Sequence, residues 1–187
     1  MNRSVPLALV VAMVALVLAA PARGADPITV MGEPLSRLEF GIPEEAADKA
    51  YLGLSGAGVF RLPQVKAEII IIEVFSMYCP YCQKEAEHVN SLFAKIRDHE
   101  TLRGRVKLIG IGAGNTPYEV ELFRKKFSVP FPMLSDYKMT IQSSADRKFR
   151  TPTFIVAKPE GGARLKIIYT HVGKLGELDE FLKKIPF

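Results

Sequence analysis

The sequence predicts an α/β fold: a largely buried sheet with helices on its faces, an N-terminal extension carrying a hairpin, and an inserted segment between core strand–helix units. Three observations predict it. Residues 69–75 read Ile-Ile-Ile-Ile-Glu-Val-Phe, apolar on both faces as a central strand requires. Directly after it, Cys82, Ala86, Val89, Phe93 and Ile96 recur at helical spacing. Strand-like and helix-like periods then alternate to the end of the chain, with turn residues between them.

The elements follow in order. The chain has 187 residues, which suits one ordinary domain and an appendage. Residues 1–24 are the expected appendage: Arg3 precedes an apolar run over 7–20, and Ala22-Arg23-Gly24 offers small residues for a cut before Ala25. This predicts a secretory signal peptide, hence a periplasmic or secreted protein. The run is short for a membrane span, so an uncleaved anchor is the weaker alternative. Without those 24 residues, 23 basic side chains face 20 acidic ones, a mild excess that does not argue for nucleic acid. Once the signal is cut, no segment is left to hold a membrane.

Residues 25–67 form the expected extension. Within it, 34–50 predicts a loop and a short helix. Residues 51–54 and 59–62, joined by Ser55-Gly-Ala-Gly58, predict a hairpin. The main domain spans 68–187, with its helix over 83–98 and a strand over 105–111. Gly110-Ile-Gly-Ala-Gly114 invites a dinucleotide reading, but Asn115 stands where the third glycine should be, so a tight strand-to-helix turn is expected instead. A helix to about Phe127, a short strand over 131–134 and a helical turn capped by Asp136 fill the inserted segment, about 115–145. Strands over 153–157 and 164–170, then a helix over 175–184, complete the domain.

The chemistry centres on Cys79-Pro80-Tyr81-Cys82, which holds both cysteines of the chain. The thiolate is the attacking species in disulfide exchange, and a helix start stabilises it through unsatisfied N–H groups and the helix dipole. Pro80 suits the first helical position. Cys79 is therefore the expected nucleophile and Cys82 the resolving thiol. A zinc site would need further ligands, and His88, His99 and His171 lack ligand spacing. A structural bridge normally closes a long loop, and this ring would be short. Glu73 is an acid within an apolar strand. Burial should raise its pKa and suit it to proton transfer, unless it faces a solvated rim.

The segment from Glu73 to Cys82 resembles the active-site segment of the thioredoxin superfamily, and especially exported bacterial TlpA/ResA-like thiol–disulfide oxidoreductases. The resemblance implies a thioredoxin fold. Glu73 matches the family's buried acid six residues before the first cysteine, which assists the resolving thiol. Thr151-Pro152 matches the family's cis-proline pair facing the dithiol, with Thr151 offering backbone groups to a substrate segment. Tyr78, Pro80 and Tyr81 would border the same substrate site. The chain departs from thioredoxin itself at Met77-Tyr78, where that protein has an acid and a Trp.

The implied activity is exchange with protein disulfides, in the reducing direction, served by an upstream thiol–disulfide partner and needing no cofactor or metal. Two alternatives stand beside it. A peroxiredoxin-type peroxidase would carry Thr or Ser three residues before its reactive cysteine and Pro seven before; Ser76 meets the first requirement and Ile72 fails the second. A binding or chaperone module would keep its function without the dithiol.

Overall fold

The computed structural model describes residues 30–186. The expected signal peptide lies outside them. The first described elements are α1 (Gly32–Arg37), β1 (Glu39–Gly41), α2 (Ala46–Leu52) and β2 (Val59–Arg61). The main sheet follows as β3 (Ile69–Phe75), α3 (Pro80–Asp98), β4 (Val106–Ala113), α4 (Pro117–Lys126), β5 (Met133–Asp136), β6 (Thr153–Glu160), β7 (Arg164–Val172) and α5 (Leu178–Lys183). Its strand order is β5-β4-β3-β6-β7. β3 runs parallel to β4 and antiparallel to β6.

The isoleucine run is central because both of its faces are covered. Ile69, Ile71 and Phe75 pack into the layer that includes Val89 and Phe93 of α3 and Phe181 of α5. Ile70, Ile72 and Val74 pack on the other side, against Leu35 of α1 and Leu52 of α2. All seven residues of β3 are buried. At about 1.5–3 kcal/mol for each fully buried aliphatic side chain, this strand is the main apolar anchor of the fold.

The expected hairpin over 51–62 is not formed. Tyr51 and Leu52 end α2, and Gly53 closes that helix in the left-handed region (φ 69°, ψ 31°). β2 pairs instead with β1, placing Phe60 opposite Phe40. Leu52 is fully buried as part of a helix that packs on the sheet. Tertiary packing therefore outweighs the strand-like local composition.

The segment over 115–145 supplies α4, edge strand β5 and a 3-10 turn, Thr140–Ser144. Thr116 and Glu119 form a reciprocal capping box at the start of α4. The Asp136 carboxylate accepts from the N–H groups of Thr140 and Ile141, each at 2.8 Å, and so holds the turn. The glycines ahead of α4 serve close packing. A Cβ on Gly112 would come within 2.8 Å of Val120, and one on Gly110 within 2.9 Å of Met133. Buried Asp48 of α2 takes a bidentate bond from Arg124 of α4, at 2.7 and 3.0 Å, tying the extension to the domain.

β5 pairs only with Gly110–Ala113 of β4. The earlier N–H groups on that side find other partners: Val106 donates to the Leu102 carbonyl at 2.9 Å, and Leu108 to the Tyr51 hydroxyl at 2.8 Å. The last helix is shorter than the periodicity predicts, because Gly176 takes a positive φ (70°) and the extended Glu177 holds the N-cap position.

Candidate functional site

β3 ends at Phe75, and the chain turns through Ser76–Tyr78 into α3. Cys79 is the N-cap residue, with extended backbone (φ −85°, ψ 113°), and Pro80 takes the first helical position. That geometry leaves Cys79 partly exposed, while Cys82, one turn on, is fully buried against the sheet. Both are free thiols.

Two ties fix the turn. The Met77 N–H donates to Asn115 Oδ1 at 2.8 Å, and Gln83 Nε2 donates to the Met77 carbonyl at 2.7 Å. The Tyr78 hydroxyl adds a third, donating to Glu119 at the start of α4. Asn115 is fully buried and Ser135 Oγ donates to its carbonyl at 2.6 Å, so β4, β5 and the cysteine turn are joined through one residue.

The Thr151–Pro152 peptide bond is cis, and its carbonyl accepts from Cys79 Sγ at 3.2 Å. Thr151 is half-buried and Pro152 buried. Tyr78, Pro80 and Tyr81 are exposed around the sulfur. The structure thus brings Cys79, Cys82, Thr151, Pro152, Tyr78, Pro80 and Tyr81 to one end of the sheet.

The two thiols differ electrostatically. Partial burial of Cys79 alone would raise its pKa. The Thr151 side chain, the N–H groups of Cys82 and Tyr81 at the helix start, and the Cys82 thiol outweigh that effect and hold it below the ordinary value. Those N–H groups face the sulfur without closing a side-chain cap. Burial pushes the Cys82 thiol far up, and the neighbouring Cys79 adds to the rise. One sulfur is thus prepared to ionise and the other is stored as a thiol.

Glu73 is 2% exposed and shares the strand face of Ile71 and Phe75, so its side chain enters the same layer as Cys82. Desolvation, with the charge of Glu85 second, raises its pKa to about 8. Among the described residues its Oε1 has no hydrogen-bond partner. The rim alternative is therefore overturned: the carboxyl is inside.

Glu85 is a second buried acid, 4% exposed, and its Oε1 accepts from the Leu175 N–H at 2.9 Å. Sequence reasoning missed it. The available signal was position: three residues after Cys82 and four before Val89, it lies on the buried face of α3. Asn115 was likewise missed as a support, since its role depends on a contact 38 residues away in the chain.

A family model described as the AhpC/TSA family matches residues 43–164. Among curated proteins, the chain is similar to the thiol-disulfide oxidoreductase ResA of Halalkalibacterium halodurans, with 22% identity over 144 residues, covering 76% of each chain. Among solved structures it is similar to StoA from Bacillus subtilis, with 20% identity and a TM-score of 0.52 over 68% of this chain and 89% of that one. It is also similar to a secreted Mycobacterium tuberculosis disulfide oxidoreductase homologous to E. coli DsbE, with 15% identity and a TM-score of 0.54 over 81% of this chain and 96% of that one. These likenesses establish the thioredoxin fold. The family match takes in β3, both cysteines and the Thr151–Pro152 bond, and it spans more than half of the sequence: the chain belongs to the AhpC/TSA family.

Proposed function

We propose that the chain is an exported thiol–disulfide oxidoreductase acting on protein disulfides through Cys79 and Cys82. The observation that carries this reading is the asymmetry of the pair. Cys79 is reachable, with its pKa lowered, beside the carbonyl of the cis bond; Cys82 is sealed beneath it as a thiol.

The step balances as follows. The Cys79 thiolate attacks one sulfur of a substrate disulfide. The S–S bond breaks, and the leaving sulfur takes the electron pair and a proton from water. Cys82 then loses its proton to ionised Glu73, directly or through a water, and its sulfur attacks Cys79 Sγ. The second substrate sulfur leaves as a thiolate. The substrate gains two electrons, and the protein ends with a Cys79–Cys82 disulfide. An upstream dithiol returns it to the reduced state.

The reducing direction follows the resemblance described above; the ResA-like role follows it too and is supported by the similarity to a ResA protein. Thr151 and Pro152 would receive the substrate backbone, with Tyr78, Pro80 and Tyr81 bordering it. Export fits the leader-like pattern of residues 1–24 and the oxidising compartments in which disulfide chemistry operates. Among the described residues, no helix is long and apolar enough to cross a membrane.

A Cys82→Ser variant, which cannot resolve the intermediate, should accumulate mixed disulfides through Cys79. Their absence, under conditions where a control thioredoxin traps partners, would count against the proposal. Peroxide consumption by the reduced protein would point to the peroxidase alternative. Full function of a Cys79→Ser, Cys82→Ser double variant in the host would point to the binding module.

A further inference from the structure

Beside the half of β4 that β5 does not pair, away from the cysteine turn, lies a cavity of about 320 Å³. Tyr51, Phe93, Ile96 and Val106 form its apolar lining, and the Tyr51 and Phe93 rings meet at 5.9 Å between centroids. Its volume is at the small end of the range for ligand sites, about 300–1,000 Å³. Gly104 and three cations, Arg97, Arg103 and Lys107, complete the lining. Asp98, the nearby acid, is held by Arg97 through bonds of 2.7 and 2.9 Å.

Lys107 is the informative group. It is half-buried, and among the described residues no carboxylate lies within ion-pair reach of it. Its described partner is the face of the Tyr51 ring, with Nζ 4.3 Å from the centroid. Tyr51 cannot rotate freely to improve that contact, because its hydroxyl is held by the Leu108 N–H. A half-buried ammonium is costly unless it is paired. Here it borders an apolar chamber whose lining also includes Arg103, which feels the charge of Asp98 but has no close ion pair among the described residues.

We propose that this cavity binds an amphiphilic monocarboxylate: a hydrocarbon tail against Tyr51, Phe93, Ile96 and Val106, and a carboxylate on Lys107 and Arg103. Charge selects the headgroup, since the cations outnumber the nearby acid and a neutral headgroup would leave Lys107 unpaired. Burial already lowers the Lys107 pKa, and a bound carboxylate would reverse that shift. The apolar walls select the tail, at about 0.8 kcal/mol for each methylene taken out of water. The site is separate from the dithiol and does not depend on the activity proposed for it.

The test uses the whole protein, titrated calorimetrically with decanoate, with hexanoate and with the neutral analogue decan-1-ol. Ring-proton shifts of Tyr51 and Phe93 locate the bound ligand. Decanoate should bind saturably with a one-to-one ratio, hexanoate more than tenfold more weakly, and the shifts should centre on those rings. Lys107→Met, which keeps the apolar stem, should weaken decanoate about tenfold and leave decan-1-ol unchanged. Lys107→Arg should keep decanoate binding close to wild type. Melting curves of both variants confirm that they fold. Equal affinity for decanoate and decan-1-ol in the wild type, shifts centred elsewhere, or no saturable binding at millimolar decanoate would each overturn the proposal.

Discussion

Glu73→Gln should make the protein more stable at neutral pH, and by an amount that depends on pH in a defined way. The wild-type carboxyl titrates near 4.5 in the unfolded chain and near 8 in the fold, chiefly through desolvation. Below pH 4.5 both states hold the proton, and the buried acid carries no ionisation penalty. Between the two values the fold retains a proton that the unfolded chain releases, so stability falls as pH rises. Each pH unit in that window costs about 1.4 kcal/mol. The loss reaches about 3 kcal/mol at pH 7 and approaches 5 kcal/mol above pH 8. Glutamine has nearly the same shape and no proton to lose. Its amide lacks a ready partner beside the unpaired Oε1, which adds a roughly constant cost of about 1–3 kcal/mol. The readout is therefore the change in the difference between variant and wild type, not its absolute value. Urea unfolding of the reduced proteins at half-unit steps from pH 4.5 to 8.5 measures it, and other titrating groups cancel. A difference that stays flat across the window, or moves in favour of the wild type, refutes the burial argument for Glu73.

The remaining predictions address the rest of the site and its supports. In the Cys82→Ser variant, iodoacetamide should alkylate Cys79 with a pH midpoint below that of an ordinary cysteine, since the helix-start N–H groups and Thr151 favour its thiolate; a midpoint at or above the free-thiol value contradicts the electrostatics described. Glu73→Gln should slow resolution of the mixed disulfide by on the order of 10²-fold and remove its rise with pH, measured by quenched-flow release of the substrate thiol. Asp48→Ala leaves the Arg124 guanidinium without its bidentate partner and should cost about 3 kcal/mol in urea unfolding. Thr116→Ala removes the capping box of α4 and should cost about 1 kcal/mol by the same measurement, with little change in the reactivity of Cys79.

The readable parts of the sequence were those whose physics is local. The 69–75 run declares a doubly covered strand because nothing else needs so many branched apolar residues together. Pro80 marks the helix start, and that start places one thiol outside and the other inside. Asp136 announced the turn it caps. The extension was harder. Tyr51 and Leu52 carry strand-like side chains, but Ala46 and Ala47 before them and Gly53 after them are helix signals, and the hairpin reading places that glycine inside its first strand. The true partner of β2 lies 22 residues away at the Arg61–Glu39 ion pair, across a helix, and pairings of that span leave no local trace. Glu85 was hidden for a different reason. Among the polar residues of α3 nothing local distinguishes it, and only the helical phase relative to Cys82 separates it from its solvated neighbours.

The phenol of Tyr51 has a wider consequence. It occupies the amide of Leu108 at a place where β4 has outrun its neighbour β5. A bare stretch of this kind is a template on which a strand from another molecule could stack, and stacking of that sort begins fibre growth. One aromatic hydroxyl, supplied by a helix of the extension, acts as the stopper. Trimming the extension as a dispensable appendage would therefore bare this edge of β4 together with the sheet face that Leu35 and Leu52 cover, and give the remainder a new tendency to polymerise.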